Sequence, residues 1–286
     1  MNNQKLIERF NPVCKKETSD IYVIKFDSGK NNSKFLEYIG NIRAEVYSGV
    51  GAKFQKSDSD QDIFDKDATH ILVWDRILNE LIGGYRLFPC WEFFDKDETN
   101  TYLSDFFEFS KNFLQTHKNS IEIGRSFIQE KYWNKNFLDY LWLGIGHFLT
   151  QNPRAKYFYG TVSLGSEYSP ESISLICTYY KKWYYQEDEN IHPHTQYTFP
   201  ENKFPLNNSI LNGKTFSEDF LILKNELKKV NIRIPVLLRK YVSLTQVGGT
   251  KFISISYDKT FDVVSLLCLV DLENLSPLFQ KRYLGS

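Results

Sequence analysis

Charged residues stand inside segments that otherwise read as buried strand: Arg86 in Gly83-Gly84-Tyr85-Arg86-Leu87, and Glu122 and Arg125 in Glu122-Ile123-Gly124-Arg125-Ser126-Phe127. A charge removed from water is costly unless an opposite charge meets it. The chain must therefore fold so that distant segments deliver counter-charges to these strands. Arg43 with Tyr47, and Asp62-Ile63-Phe64-Asp65, lie upstream. Gathering Arg43, Asp62, Asp65, Arg86, Glu122 and Arg125 at one site balances three charges of each sign. The alternative is a set of unrelated surface ion pairs.

Around these blocks, strand and helix patterns alternate. Residues 21–26 are β-branched and aromatic and read as a strand. Phe35, Ile39, Ile42 and Val46 recur at helical spacing. The polar, acidic stretch 51–67 reads as a loop. Segments 69–75 and 81–88 read as a hairpin, and Gly83-Gly84 signals a bulge or a close backbone approach. Residues 120–128 form a further strand. Leu138, Leu141, Trp142, Ile145, Phe148 and Leu149 share one helical face behind a cap at Asn134 or Asn136. A strand at Tyr157–Val162 precedes Ser169-Pro170-Glu171, an N-cap with proline at the first helical position. Residues 186–216 carry little pattern and read as a long connection. Ser217 is placed as the cap of a helix running to about Val230, before strands at 251–257 and 262–270 and a short helix at Ser276-Pro277. The alternation implies an α/β (α+β) chain with a mixed sheet and helices on its faces. The last two strands are expected to join the same sheet, giving one domain over 1–286, with a core of about 20–185 and an extension over 186–286.

Composition narrows the function. Lys plus Arg and Asp plus Glu both number 35, so net charge is zero, against a bulk nucleic-acid binder. The 5 Trp, 18 Tyr and 23 Phe either fill a core or wall an apolar tunnel. Cys14, Cys90, Cys177 and Cys268 are too scattered for a zinc site or a disulfide framework. His192-Pro193-His194 lacks the accompanying ligands of a metal centre, so no metal is expected. His70 reads as a core histidine, and Cys177 as packing. The start, Met1-Asn2-Asn3-Gln4-Lys5, leads into no apolar segment. A cytoplasmic protein is expected, with contact at the periphery of the inner membrane left open.

The joint pattern Arg43…Asp62-x-x-Asp65…His70…Gly84-Tyr85-Arg86-Leu87…Glu122-x-Gly124-Arg125-Ser126…Leu141-Trp142 resembles the GNAT-like N-acyltransferases that make amino-acid lipids. These are the ornithine-lipid and glycine-lipid synthases, often labelled hemolysin-like and related to the acyl-homoserine-lactone synthases. The resemblance runs from Arg43 to Trp183, and more weakly through Ile234–Tyr241 and Val270–Pro277. Tyr159-Gly160-Thr161-Val162 and the helix ending at Trp183 look most like the glycine-lipid branch. It implies a mostly antiparallel GNAT sheet. It also implies transfer of a fatty acyl group, often 3-hydroxylated, from acyl carrier protein to the amine of an amino acid such as glycine or ornithine. No cofactor beyond the carrier's phosphopantetheine thioester is implied.

On that basis Glu122 is the expected base, with Arg125 and Ser126 beside it, and Arg43, Asp62, Asp65 and Arg86 form an ionic network on the acceptor side. An α-amine must lose a proton before it attacks a thioester. In a flat strand Glu122 and Arg125 point to opposite faces, so a shared site requires a bulge or splay near Gly124. Where ordinary GNAT enzymes hold a pyrophosphate on a glycine-rich loop, this chain has Lys131-Tyr132-Trp133-Asn134-Lys135-Asn136, which disfavours coenzyme A. Lys131, Lys135 and Lys156 are candidates for docking the acidic carrier. The competing readings are a signal synthase for acyl-homoserine lactones or long-chain N-acyl amino acids, and a catalytically inactive GNAT-like binding module.

Overall fold

A computed structural model describes residues 12–15, 20–27, 33–50, 59–96, 98, 100–186, 190–199, 209–259 and 261–285. The N-terminal pentapeptide and residues 51–58 of the loop expected over 51–67 lie outside the described residues. Eight strands form one sheet: β1 (Pro12–Lys15), β2 (Ile21–Asp27), β3 (Thr69–Asp75), β4 (Glu80–Pro89), β6 (Ser120–Ile128), β7 (Tyr157–Leu164), β10 (Val263–Asp271) and β9 (Thr250–Asp258), in that order across it. Every neighbouring pair is antiparallel except β6 and β7. The short strands β5 (Phe107–Phe109) and β8 (Ile191–Pro193) pair separately.

The period-two alternation of side chains gives each face of the sheet its own core. On one face, Val23, Ile71, Val73, Leu87, Ile121 and Phe158 meet helix α2 (Phe137–Gln151), which turns Leu141, Trp142, Ile145 and Phe148 inward. Helices α3 (Pro170–Tyr184), α4 (Phe216–Lys229) and α5 (Val236–Leu244) extend that core. On the other face, α1 (Ser33–Gly49) packs Phe35, Leu36 and Ile39 against Ile24, Leu72 and Trp74. A separate aromatic cluster holds Phe88, Phe94, Phe107, Phe113 and Tyr159.

The ends of the elements follow local chemistry. The Ser169 hydroxyl accepts the Ser172 N–H at the start of α3, with Pro170 inside the first turn. The cap of α4 is Thr215, which accepts from Glu218, and not Ser217, which lies within the helix. Gly83 stands in β4 where a Cβ would collide with the Phe127 carbonyl and Ile128, the close approach expected of Gly83-Gly84.

The last strands continue the sheet beyond β7, since β10 pairs with it from Asp271↔Tyr157 to Val264↔Leu164. The chain then folds back. Phe279 packs edge-on to Trp142, Arg282 pairs with Asp139 at 2.7 Å, and Tyr283 donates to the same carboxylate. The C-terminal turn is thus strapped to α2.

Candidate active site

Strand β6 changes character midway. Its parallel pairing to β7 covers Ser120↔Tyr157, Ile121↔Phe158 and Glu122↔Tyr159, then stops. On its other side Gly124 faces Arg86 and Phe127 faces Gly84, so Arg125 and Ser126 together stand opposite Tyr85 alone. Two residues against one is a β-bulge, and Arg125 adopts the left-handed conformation (φ 51°) within it. The geometric condition for Glu122 and Arg125 to share a site is therefore met.

The bulge turns Arg125 toward the ionic cluster. Arg43 on α1 grips Asp65 with a bidentate pair at 2.9 and 2.7 Å. Arg86 on β4 reaches Asp62 at 2.6 Å and Asp65 at 3.3 Å. Arg125 reaches Asp62 at 3.1 Å and Asp60 at 3.3 Å, and the Arg43 Nε lies 2.9 Å from Asp60. Three arginines and three acids do meet, but the third acid is Asp60. Glu122 forms no ion pair with them, a correction to the expected membership. Asp60 belongs to the acidic run Asp58-Ser59-Asp60-Gln61-Asp62, and that run is the sequence signal for it.

Burial and charge act against each other here. Burial pushes the Asp60 carboxyl above its ordinary range despite Arg125 and Arg43. Burial also works to raise Asp65, but Arg43 and Arg86 outweigh it and hold that carboxyl well below the usual range. His70, fully enclosed, donates its Nε2–H to the Asp65 carbonyl at 3.0 Å and is driven down to about 4 by burial. It is neutral, in keeping with its reading as a core histidine.

Glu122 occupies a different setting on the same face. It is 3% exposed, and burial raises its pKa, partly offset by the charge of Arg86. Its Oε2 accepts the Leu103 N–H at 3.2 Å and the Tyr159 hydroxyl at 3.5 Å. Tyr159 also bonds Cys90 and the Thr101 hydroxyl, both at 3.2 Å. Thr101 and Leu103 carry no signal in the sequence, and Tyr159 stands there only within the Tyr159–Val162 motif with no role at the site; the fold places all three behind Glu122.

A cavity of about 350 Å³ opens where β6 and β7 part. Glu122, Gly124, Arg125 and Ser126 line it, with Tyr102 from one face of the sheet and Tyr85 and Val162 from the other. The cavity therefore passes through the sheet. Its wall continues along Val236, Leu237, Tyr241 and Val263, which is largely apolar. Tyr102 lies 4.4 Å from the Arg125 guanidinium and 5.3 Å from that of Arg86, roofing the charges.

The lysines expected to dock a carrier do not form one patch. Lys131 and Lys135 follow the far end of β6, whereas Lys156 precedes β7 beside Ser120. Eight strand steps separate those ends, about 26 Å at 3.3 Å per residue. Lys131 pairs with Glu80 at 2.6 Å and Lys156 with Glu273 at 2.9 Å. In the segment leading to α2, the amides of Tyr132, Trp133 and Lys135 are already bonded to the carbonyls of Gln129, Glu130 and Tyr132.

Residues 42–143, the stretch bearing the arginine cluster, Glu122 and the bulge, match the acetyltransferase (GNAT) domain family. Two curated relatives are each named glycine N(alpha)-acyltransferase. That of Phocaeicola vulgatus is 28% identical over 242 residues, covering 80% of this chain and 73% of the relative. That of Bacteroides thetaiotaomicron is 27% identical, covering 80% and 71%. A solved structure of a CoA-dependent acyl-homoserine lactone synthase, MesI, overlaps 93% of this chain and 95% of its own, at 13% identity and a TM-score of 0.42.

Proposed function

We propose that this protein is an N-acyltransferase that moves a fatty acyl group from acyl carrier protein to the α-amine of an amino acid, giving an amide-linked lyso lipid. One observation carries the reading: a buried carboxylate, Glu122, lines a mostly apolar cavity at the point where the ladder breaks. The relatives named for glycine N-acylation support the class of acceptor.

In the proposed reaction the amine nitrogen attacks the thioester carbon and Glu122 accepts its proton, directly or through water. The carbonyl electrons move onto oxygen, and an N–H left out of the ladder by the Gly124–Ser126 bulge meets that charge. Collapse re-forms the carbonyl, breaks the C–S bond and releases the phosphopantetheine thiolate, which is reprotonated. Burial raises the pKa of Glu122, bringing it nearer that of an amine and making it a better proton acceptor than an exposed glutamate. Arg43, Asp60, Asp62, Asp65 and Arg86 hold Arg125 and the wall around it, and Ser126 faces the substrate. A carrier-bound donor presents one phosphate and no nucleotide, which suits a segment that has the Tyr132, Trp133 and Lys135 amides already bonded and that lacks glycine. Lys131 and Lys135, at the open end of β6, are then the carrier's contacts, and Lys156 is not.

The test incubates the protein with 3-hydroxyacyl carrier protein or the matching acyl-CoA and a panel of amino acids, and reads lipids by mass spectrometry. Amide product is expected with the carrier donor at a kcat/KM at least tenfold above acyl-CoA, and Glu122→Gln lowers turnover about 100-fold or more. Absence of product with every acceptor rejects the reading, and wild-type turnover in Glu122→Gln rejects the base.

A further inference from the structure

A second, smaller cavity adjoins the first. It measures about 150 Å³ and is lined by Asp105, His194, Thr195, Tyr257 and Lys259, together with Phe106 and Asp258. Phe106 and Asp258 also line the main cavity, so the two spaces share a wall. We propose that this side cavity is the binding site of the acceptor, and that it takes a small zwitterionic α-amino acid with its amine toward the shared wall and its carboxylate toward Lys259. The inference rests on the proposed acyl transfer and assigns its acceptor site.

Charge placement sets the orientation. Asp258 is buried at 6% exposure, accepts the Phe261 N–H at 3.1 Å and stands on the wall nearest the main cavity. Its carboxylate attracts an ammonium group to the side from which Glu122 is approached. Lys259, one residue further on, is exposed and forms no ion pair among the described residues. With the Thr195 hydroxyl it offers donors to a carboxylate at the outer end. The His194 ring is held by the Ser104 carbonyl at 3.1 Å, fixing the rim. An α-amino acid carries these two charges on groups bonded to one carbon, and the lining supplies their complements in Asp258, on the wall shared with the main cavity, and the exposed Lys259.

Size sets the class. A cavity of about 150 Å³ holds one molecule of the bulk of benzene. Glycine has five non-hydrogen atoms and serine seven, which fit; ornithine has nine and a second ammonium at the end of its chain. None of these residues lies within the 42–143 GNAT match except Asp105 and Phe106, so acceptor choice rests mainly with the C-terminal strands.

The experiment has two arms on the full chain. In the first, binding of 13C-labelled glycine without donor is followed by NMR for wild type, Lys259→Met and Thr195→Val. Saturable binding that weakens about tenfold in Lys259→Met is expected, and glycine methyl ester competes at least tenfold less well than glycine. In the second, Lys259→Met raises the glycine KM about tenfold in the acyl-transfer assay with kcat within twofold, and ornithine shows a kcat/KM at least 100-fold below glycine. Glycine binding with no transfer leaves this site standing and rejects the acyl-transfer reading. Transfer whose glycine KM is unchanged in Lys259→Met and Thr195→Val, or wild-type use of ornithine equal to glycine, overturns the site.

Discussion

Asp60 and Asp65 both neutralise Arg43, yet their surroundings treat them differently. Asp65 takes two short bonds from Arg43 and a third contact from Arg86, whereas the burial of Asp60 outweighs its partners. Asp65→Asn is therefore expected to cost about 3–5 kcal/mol at pH 7, because it leaves a buried arginine unmatched. Asp60→Asn is expected to cost clearly less, and denaturant unfolding of the two variants ranks them; the reverse order rejects the account. His70 gives a pH dependence of definite sign. Its pKa is about 4 in the folded protein and about 6.5 in the unfolded chain, so between those values only the unfolded chain binds the proton. Stability thus falls as pH drops from 6.5 toward 4, by about 3 kcal/mol from this residue. His70→Gln keeps a donor for the Asp65 carbonyl, and its unfolding free energy is expected to lose that part of the slope.

Among the elements, the parting of β6 and β7 depends on one small residue. A Cβ on Gly160 would run into the Ile123 carbonyl, just past the last parallel pair. Gly160→Ala is expected to push the strands apart earlier, cost about 1–3 kcal/mol and enlarge the cavity mouth. Hydrogen exchange at Ile121–Ile123 checks this, with faster exchange expected and unchanged protection against it. The short β1, β5 and β8 were not legible in the sequence, but the seven longer strands and the long helices were, because hydrophobic period and caps act locally. So was the need for a bulge at Gly124, because pleat geometry forbids Glu122 and Arg125 from sharing a face otherwise. What stayed hidden was set by distant packing. Helix α5 is short and starts after Ile234-Pro235, which reads equally well as a turn. Thr215 rather than Ser217 caps α4, although Thr215 with Glu218 carries the spacing of a capping box. Asp60 lay unremarked in an acidic loop because only the fold shows which of its carboxylates turns inward.

For the whole molecule, β1–β4 with β6 form one antiparallel plate, and β7, β10 and β9 form the other. Three parallel residue pairs join them. The main cavity draws Tyr85 and Ile123 from the first plate and Val162, Val263 and Ser265 from the second. A ligand seated there binds only the assembled form and stabilises it by about 2.7 kcal/mol at a hundredfold excess over Kd. Acyl-pantetheine is expected to raise Tm and to slow hydrogen exchange in β6 and β10 together; protection confined to one plate argues against a cavity that spans both. The seam also gives the C-terminal turn a meaning beyond packing. Leaving the second plate at Asp271, it crosses to α2 beneath the first and ends on Asp139 and Trp142. In mechanical terms it is a tie-rod between the two plates, fastened away from the three-pair seam at β6–β7. A fusion partner hung behind Tyr283 would load that rod, so a tag placed there is expected to speed hydrogen exchange across the β6–β7 seam, however far it sits from Glu122.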